Sequence, residues 1–233
     1  STPIKSSAAS DVYKRQKVYK EKIRLRTYGR AQDDSEAFIE LKKKLKDGTF
    51  TIDFCDDSLH TNGNLSICGG TYTLSTGDDG MHADGADQVY GGEITIKTCY
   101  EGIKGQNMEI SGGTIDITAS DDGNGALDYN GTATITGGTL VAAGMSGMEQ
   151  NFGSDSTQGT LMMNLTDNQS GKITLEDANG NTLVSYTPMR EYNSVVISCA
   201  ELSDGSTYTI HTGENSREVT MEGLVSVSYT HLR

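Results

Sequence analysis

Residues 60–85 read HTNGNLSICGGTYTLSTGDDGMHADG, and the part from Gly69 to Gly80 holds the unit that decides the fold. It consists of a glycine pair, an alternating strand Thr71-Tyr72-Thr73-Leu74, and a polar turn Asp78-Asp79-Gly80. The unit recurs in both directions. Gly48, Gly70, Gly92, Gly113 and Gly138 each open a strand, at intervals of 22, 22, 21 and 25 residues. Strands and turns repeated at fixed offsets with such a period are the signature of a solenoid, because one repeat is too small to bury its apolar face without a neighbour.

Aligning the repeats on those glycines produces columns. Two positions on stand Phe50, Tyr72, Ile94, Ile115 and Leu140; four positions on stand Ile52, Leu74, Ile96, Ile117 and Ala142. Alternate residues of a strand share a face, so these columns are expected to be inward ladders that stacked coils bury continuously. A second strand per coil is read from Leu65 and Ile67, Met108 and Ile110, and Ala133 and Ile135, while Ala86-Asp87-Gln88-Val89-Tyr90 departs from that pattern. The expected class is all-β: a parallel β-helix of about 22 residues per coil over residues 48–152.

Composition agrees. The 233-residue chain has 28 Gly, 2 Pro and no Trp, which suits many short strands joined by tight turns over a core with few aromatics. Cys55, Cys68, Cys99 and Cys199 match no zinc spacing and are expected as buried free thiols. No stretch approaches the roughly 18 consecutive apolar residues of a membrane-spanning helix.

Outside the coils the period is lost. Residues 17–47 are expected to form an N-terminal cap, with Glu36 to Lys46 as an amphipathic helix over the open end of the stack, or else a degenerate extra coil. Residues 153–225 carry alternating segments at Leu161 to Leu165, Lys172 to Leu175, Thr182 to Tyr186, Ser194 to Ile197 and Thr207 to His211. With a hairpin turn at Asp177-Ala178-Asn179-Gly180-Asn181, they read as an antiparallel β cap on the last coil. The run Asp11 to Gln16 and the tail Val227 to Leu232 look like translations of a sequencing adapter in its two orientations. Residues 1–16 and 226–233 are therefore set aside from the fold, together with any targeting signal they would have displaced.

The net charge of −13 is concentrated in one place. Between Gly48 and Gln150 lie 15 of the 32 acidic residues, against only Lys97 and Lys104 and no Arg. This argues against nucleic acid or anionic lipid as a partner and for a cation. The polar turns are Asp56-Asp57-Ser58, Asp78-Asp79-Gly80, Tyr100-Glu101-Gly102 and Asp121-Asp122-Gly123, each eight residues after a coil-opening glycine. Stacking should therefore build two columns about 4.8 Å per rung, one of Asp56, Asp78, Tyr100 and Asp121, the other of Asp57, Asp79, Glu101 and Asp122.

Carboxylates at that spacing repel by roughly 3 kcal/mol per adjacent pair at an effective dielectric near 20. Calcium, which takes six to eight oxygen ligands in flexible geometry, is the expected neutralising ion. Asn62 and Asp84, five residues beyond Asp57 and Asp79, could add oxygens. His60 and His82 stack on adjacent coils, but no Cys shares their column and oxygen predominates, so zinc is not the expected metal. Any single Asp-Asp-Gly is an ordinary turn whose Asp caps backbone amides. The register of several such turns is what favours ion binding.

The stretches HTNGNLSICGGTYTLSTGDDGMHADG (60–85), CYEGIKG (99–105) and GGTIDITASDDG (112–123), with GNTLVSYTP and YNSVVIS near the C-terminus, resemble a clostridial family of carbohydrate-binding β-helices. The resemblance implies a right-handed parallel β-helix, similar to pectate lyases, that is secreted or displayed on a Gram-positive-type cell surface and binds calcium and polygalacturonate. It implies that Asp57, Asp79, Glu101 and Asp122, with Asp56, Asp78 and Asp121, are calcium ligands. Two departures stand out: Lys104 occupies a position where the family usually has Glu, and Asn124 replaces an apolar residue.

The expected function is calcium-dependent binding of an acidic polysaccharide by a monomer, with no nucleic acid and no membrane insertion. Tyr100, Lys104 and His82 are the candidate ligand-contacting residues, and Tyr72, Tyr90 and Tyr129 also offer sugar-sized faces. Two alternatives stay open. One is a calcium-dependent lyase in which Lys104 removes the proton beside a uronate carboxylate. The other is a calcium-stapled cell-surface spacer or adhesin module that needs no ligand.

Overall fold

The computed structural model describes residues 24–26, 38–40, 48–120, 122 and 124–229, and contains no helix among them. In the first of two units, β1 (Arg24–Arg26) pairs antiparallel with β2 (Phe38–Glu40), Leu25 opposite Ile39. The helix expected over 36–46 is corrected at those three residues. Phe38-Ile39-Glu40 has one β-branched residue between larger neighbours and finds a strand partner, which its helix propensity alone does not outweigh. The remainder of that expected helix lies outside the described residues.

The second unit holds the coils, formed by β3 (Thr49–Cys55), β4 (Leu59–Thr61), β5 (Leu65–Thr76), β6 (Met81–Thr98), β7 (Ile103–Thr118), β8 (Leu127–Tyr129) and β9 (Ala133–Gly144). Every neighbouring pair runs parallel: β3 on β5, β4 on β6, β5 on β6, β6 on β7, and β7 on both β8 and β9. The expected ladders pair rung for rung. Phe50, Tyr72, Ile94, Ile115 and Leu140 are successive partners, as are Ile52, Leu74, Ile96, Ile117 and Ala142. Leu74, Ile96, Ile115, Ile117 and Leu140 are wholly buried, and the Phe50 and Tyr72 rings stack with centroids 5.0 Å apart.

The coil-opening glycines turn the corner into these strands. Gly70, Gly92, Gly113 and Gly138 all have φ between 92° and 111°, which L side chains rarely adopt. A Cβ at Gly92 would also stand 2.9 Å from the Gly70 carbonyl oxygen below it. Glycine at this corner satisfies both the backbone conformation and the rung spacing.

Each coil has three strand segments rather than the two read from sequence. The additional one is only three residues long: Leu59–Thr61, then Met81–Ala83, Ile103–Gly105 and Leu127–Tyr129. Leu59, Met81, Ile103 and Leu127 point inward and are buried, so alternation sends His60, His82, Lys104 and Asp128 outward. On the remaining face, the inward column is Leu65, Asp87, Met108 and Ala133. Asp87 is thus a carboxyl in an apolar ladder. It is fully buried, and burial pushes its pKa up to about 8 against the pull of the nearby Ala83 backbone.

Beyond the coils the sheet continues without a break. The antiparallel strand β13 (Tyr192–Ser198) pairs with β9, β10 (Thr160–Gln169) pairs with β13, and β16 (Val225–Tyr229) adds in parallel to β10. A second sheet, in the order β12 (Thr182–Tyr186), β11 (Ile173–Glu176), β14 (Thr207–Thr212) and β15 (Asn215–Thr220), is antiparallel throughout. Val141 and Ala143 of the last coil join Leu161, Val195, Ile173 and Ile210 in one apolar cluster between the sheets. This is the expected C-terminal β cap, and β13 covers the Leu140–Gly144 edge of the last coil. The tail set aside from the fold takes part in it as far as Tyr229, with Ser226 buried. Cys99 and Cys199 are buried free thiols, as expected, whereas Cys55 and Cys68 are half-buried.

Candidate functional site: an acid and base ridge on the coil turns

The polar turns stack as backbone rungs. Asp78 N donates to Asp56 O (3.3 Å), and Tyr100 N to Asp78 O (2.7 Å). Ser58 N donates to Asp79 O (3.0 Å), and Gly80 N to Glu101 O (2.9 Å). These bonds bring Asp56, Asp78 and Tyr100 into one column and Asp57, Asp79 and Glu101 into the other, for three coils.

The fourth rung breaks the expectation. Ser120 N donates to Tyr100 O, and Gly102 N donates to Ala126 O. Ala126 therefore takes the place predicted for Asp122. The cause is insertion: Leu127 pairs with Ile103, 24 positions earlier, where Ile103 pairs with Met81 at 22. The extra residues carry Asp122 out of the column to an exposed position, where it accepts a hydrogen bond from the Ser120 hydroxyl. Asp121 lies outside the described residues.

Three positions beyond the second carboxylate column stands the outward column of the short strand, and the two interdigitate. His60 Nδ1 lies 2.5 Å from Asp57 Oδ2. His82 Nδ1 lies 3.3 Å from both Asp57 Oδ2 and Asp79 Oδ2. Lys104 Nζ lies 3.3 Å from Asp79 Oδ2 and 2.8 Å from Glu101 Oε2. The ridge is a zigzag of acid and base climbing the coils, so the repulsion expected from bare carboxylates is partly met by Lys104 and by the imidazoles beside Asp57 and Asp79.

Burial sets the charges apart. Burial works against ionisation of Asp57, but the His60 hydrogen bond, the Asp79 amide and the His82 charge outweigh it and hold its carboxyl below the ordinary range. Asp79 is 1% exposed, and its pKa is pushed up to about 6 by burial, with Asp78 and Glu101 adding to the rise and Lys104 opposing it. Its Oδ1 has no hydrogen-bond partner among the described residues. Lys104 pays a burial cost, yet Glu101 and Asp79 raise its pKa above the ordinary lysine value.

Two groups of side chains could hold a metal. Asp57, Asp78 and Asp79 bring one carboxylate oxygen each to within 4.8 Å of one another, and so do the ligand atoms of Asp57, His60 and His82. Asn62 and Asp84 extend the ridge, joined by an Asn62 Nδ2 hydrogen bond to Asp84 Oδ2 of 3.1 Å, and His82 Nε2 is 3.9 Å from Asp84 Oδ1. Among the tyrosines, Tyr72 is buried with its hydroxyl bonded to Gly69 O, and the Tyr129 hydroxyl is bonded to Asn151 O. Tyr90 and Tyr100 remain exposed, and Tyr100 sits in the Asp56 and Asp78 column.

Comparison with curated proteins and with solved structures finds no match to this chain. Residues 44–149, the span of the coils, match the family model described as a carbohydrate-binding domain-containing protein. Over that span the chain is similar to this family, and the match supports polysaccharide binding in general.

Proposed function

We propose that the ridge binds an acidic polysaccharide, of the polygalacturonate kind, through calcium held by the turn carboxylates. The observation that carries this reading is the convergence of Asp57, Asp78 and Asp79, three carboxylates whose oxygens lie within 4.8 Å of one another, with a buried Asp79 oxygen lacking any hydrogen bond among the described residues. An all-oxygen donor set of this kind suits calcium; Asp56 adjoins Asp78 in its column, and Asn62 and Asp84 are joined to each other further along the ridge. When bound, the ion supplies positive charge that an anionic polymer can share. Without it a protein of net charge −13 repels polyuronate.

The fit is not uniform along the ridge. At the Glu101 rung Lys104 already occupies the cation position, so Glu101 is engaged by the chain itself. The calcium set therefore centres on the first two rungs, with exposed Tyr100 flanking it as a face for a sugar ring.

Lys104 is poorly suited to the lyase alternative. A general base must be unprotonated near the working pH, and two carboxylates hold this ammonium protonated.

Isothermal titration with oligogalacturonate, in calcium and again in excess chelator, tests the proposal. Binding in calcium alone, without new ultraviolet absorbance from unsaturated products, is the expected result. Binding that survives chelation sinks the calcium bridge. No binding in either buffer, with a calcium-induced rise in melting temperature, favours the stapled spacer.

A further inference from the structure

We propose that Asp57, His60, His82 and Asp79 form a site for one divalent transition-metal ion of the zinc class, bridging the first two coils. The proposal stands independently of the calcium and polysaccharide reading.

Asp57, His60 and His82 bring one ligand atom each to within 4.8 Å of one another, and His82 Nδ1 also faces Asp79 Oδ2. Zinc bonds of about 2.0–2.1 Å to nitrogen and oxygen imply ligand atoms about 3.3–3.4 Å apart along each tetrahedral edge. His82 Nδ1 stands 3.3 Å from Asp57 Oδ2 and 3.3 Å from Asp79 Oδ2, while His60 Nδ1 is hydrogen-bonded to Asp57 Oδ2 at 2.5 Å. Two of these separations already match an edge; the third needs the exposed His60 ring to open away from Asp57. His60 and His82 pair in register with ring centroids 4.6 Å apart, and both imidazoles face Asp57.

The buried Asp79 carboxylate lies beside this group, its Oδ2 3.3 Å from both His82 Nδ1 and Lys104 Nζ. Asp79 is 1% exposed, yet its Oδ1 has no hydrogen-bond partner among the described residues. A buried carboxylate oxygen left unpaired is costly unless something coordinates it. Charge agrees too. Asp57 and Asp79 supply two carboxylates to one divalent ion, with Lys104 shared between Asp79 and Glu101.

From sequence, zinc is not the expected metal because no Cys shares the histidine column and oxygen predominates. Two imidazoles and two carboxylates need no cysteine, and imidazole shifts selectivity from calcium toward zinc and its neighbours. The oxygen-only group Asp57, Asp78 and Asp79 shares two carboxylates with this site, so the two kinds of ion should compete.

The test titrates the metal-stripped full chain with zinc chloride, followed by calorimetry and thermal melting. Cobalt(II) serves as a spectroscopic stand-in. The expected result is one zinc per chain, a raised melting temperature, and the intense visible absorbance of tetrahedral cobalt(II). H60A should weaken zinc by more than the roughly 10–100-fold that loss of an outer-shell partner costs, leave the response to calcium in place, and H60A/H82A should abolish zinc binding. Zinc affinity unchanged in H60A/H82A, or a weak octahedral-type cobalt spectrum in the unmodified protein, would overturn the proposal. A missing calcium response in the unmodified protein would count against the calcium reading alone.

Discussion

Lys104 Nζ lies 3.3 Å from the buried Oδ2 of Asp79, one coil below it. The contact makes a ridge of carboxylates partly self-neutralising, and it places a fixed cation beside the rung proposed to hold calcium.

Replacing that lysine separates the two roles. In chelator, Lys104→Gln leaves Asp79 and Glu101 without their partner, and stability should fall by about 1–3 kcal/mol, short of a fully buried pair because Lys104 is partly exposed. In calcium the deficit should shrink by about 1 kcal/mol. Removing roughly 1 kcal/mol of cation–cation repulsion should tighten calcium about fivefold. Melting temperatures of both proteins with and without calcium check the prediction.

Asp87 supplies a pH test of the core. Its folded pKa of about 8 lies above the ordinary 3.8, so between those values the folded chain keeps a proton that the unfolded chain sheds. Stability must therefore fall as pH rises through that window. Asp79, raised to about 6, adds a fall of the same sign that ends at lower pH. Asp87→Leu restores the apolar ladder between Leu65 and Met108. It should remove most of the slope between pH 6 and 8 and gain a few kcal/mol at pH 8. Denaturant melts of both proteins across that range measure it.

The inner ladders bear the stack. Ile96 is fully buried between Leu74 and Ile117, and Ile96→Ala should cost about 2–5 kcal/mol through lost burial and the cavity left behind. Chemical denaturation with an unchanged m-value would show that the coils still fold as one unit.

Much of this architecture can be read from the amino acids, because a 22-residue period carries apolar residues at fixed offsets: the partners of Tyr72 and Leu74 follow from counting glycines. Three features resist such reading. Leu59-His60-Thr61 and its equivalents are too short for alternation to register as a strand, so the cations of the ridge did not emerge as a column facing Asp57 and Asp79. The fourth rung slips because the inserted residues are absorbed within the turn, which counting from Gly113 to Asp122 cannot reveal. Asp87 falls at an apolar offset, and only the backbone register shows that its carboxyl points inward. At Phe38–Glu40, local composition suggested a helix, and pairing with Arg24–Arg26 decided for a strand.

The central claim is that polymer is held at the first two rungs of the ridge through calcium. Its most direct test compares oligogalacturonate titrations of the unmodified protein, D57N/D78N and D122N, all in calcium. Binding should be lost in D57N/D78N, which removes two of the three carboxylates proposed to hold calcium, and retained in D122N, whose side chain stands outside the columns. Equal binding by D57N/D78N and the unmodified protein would contradict the account.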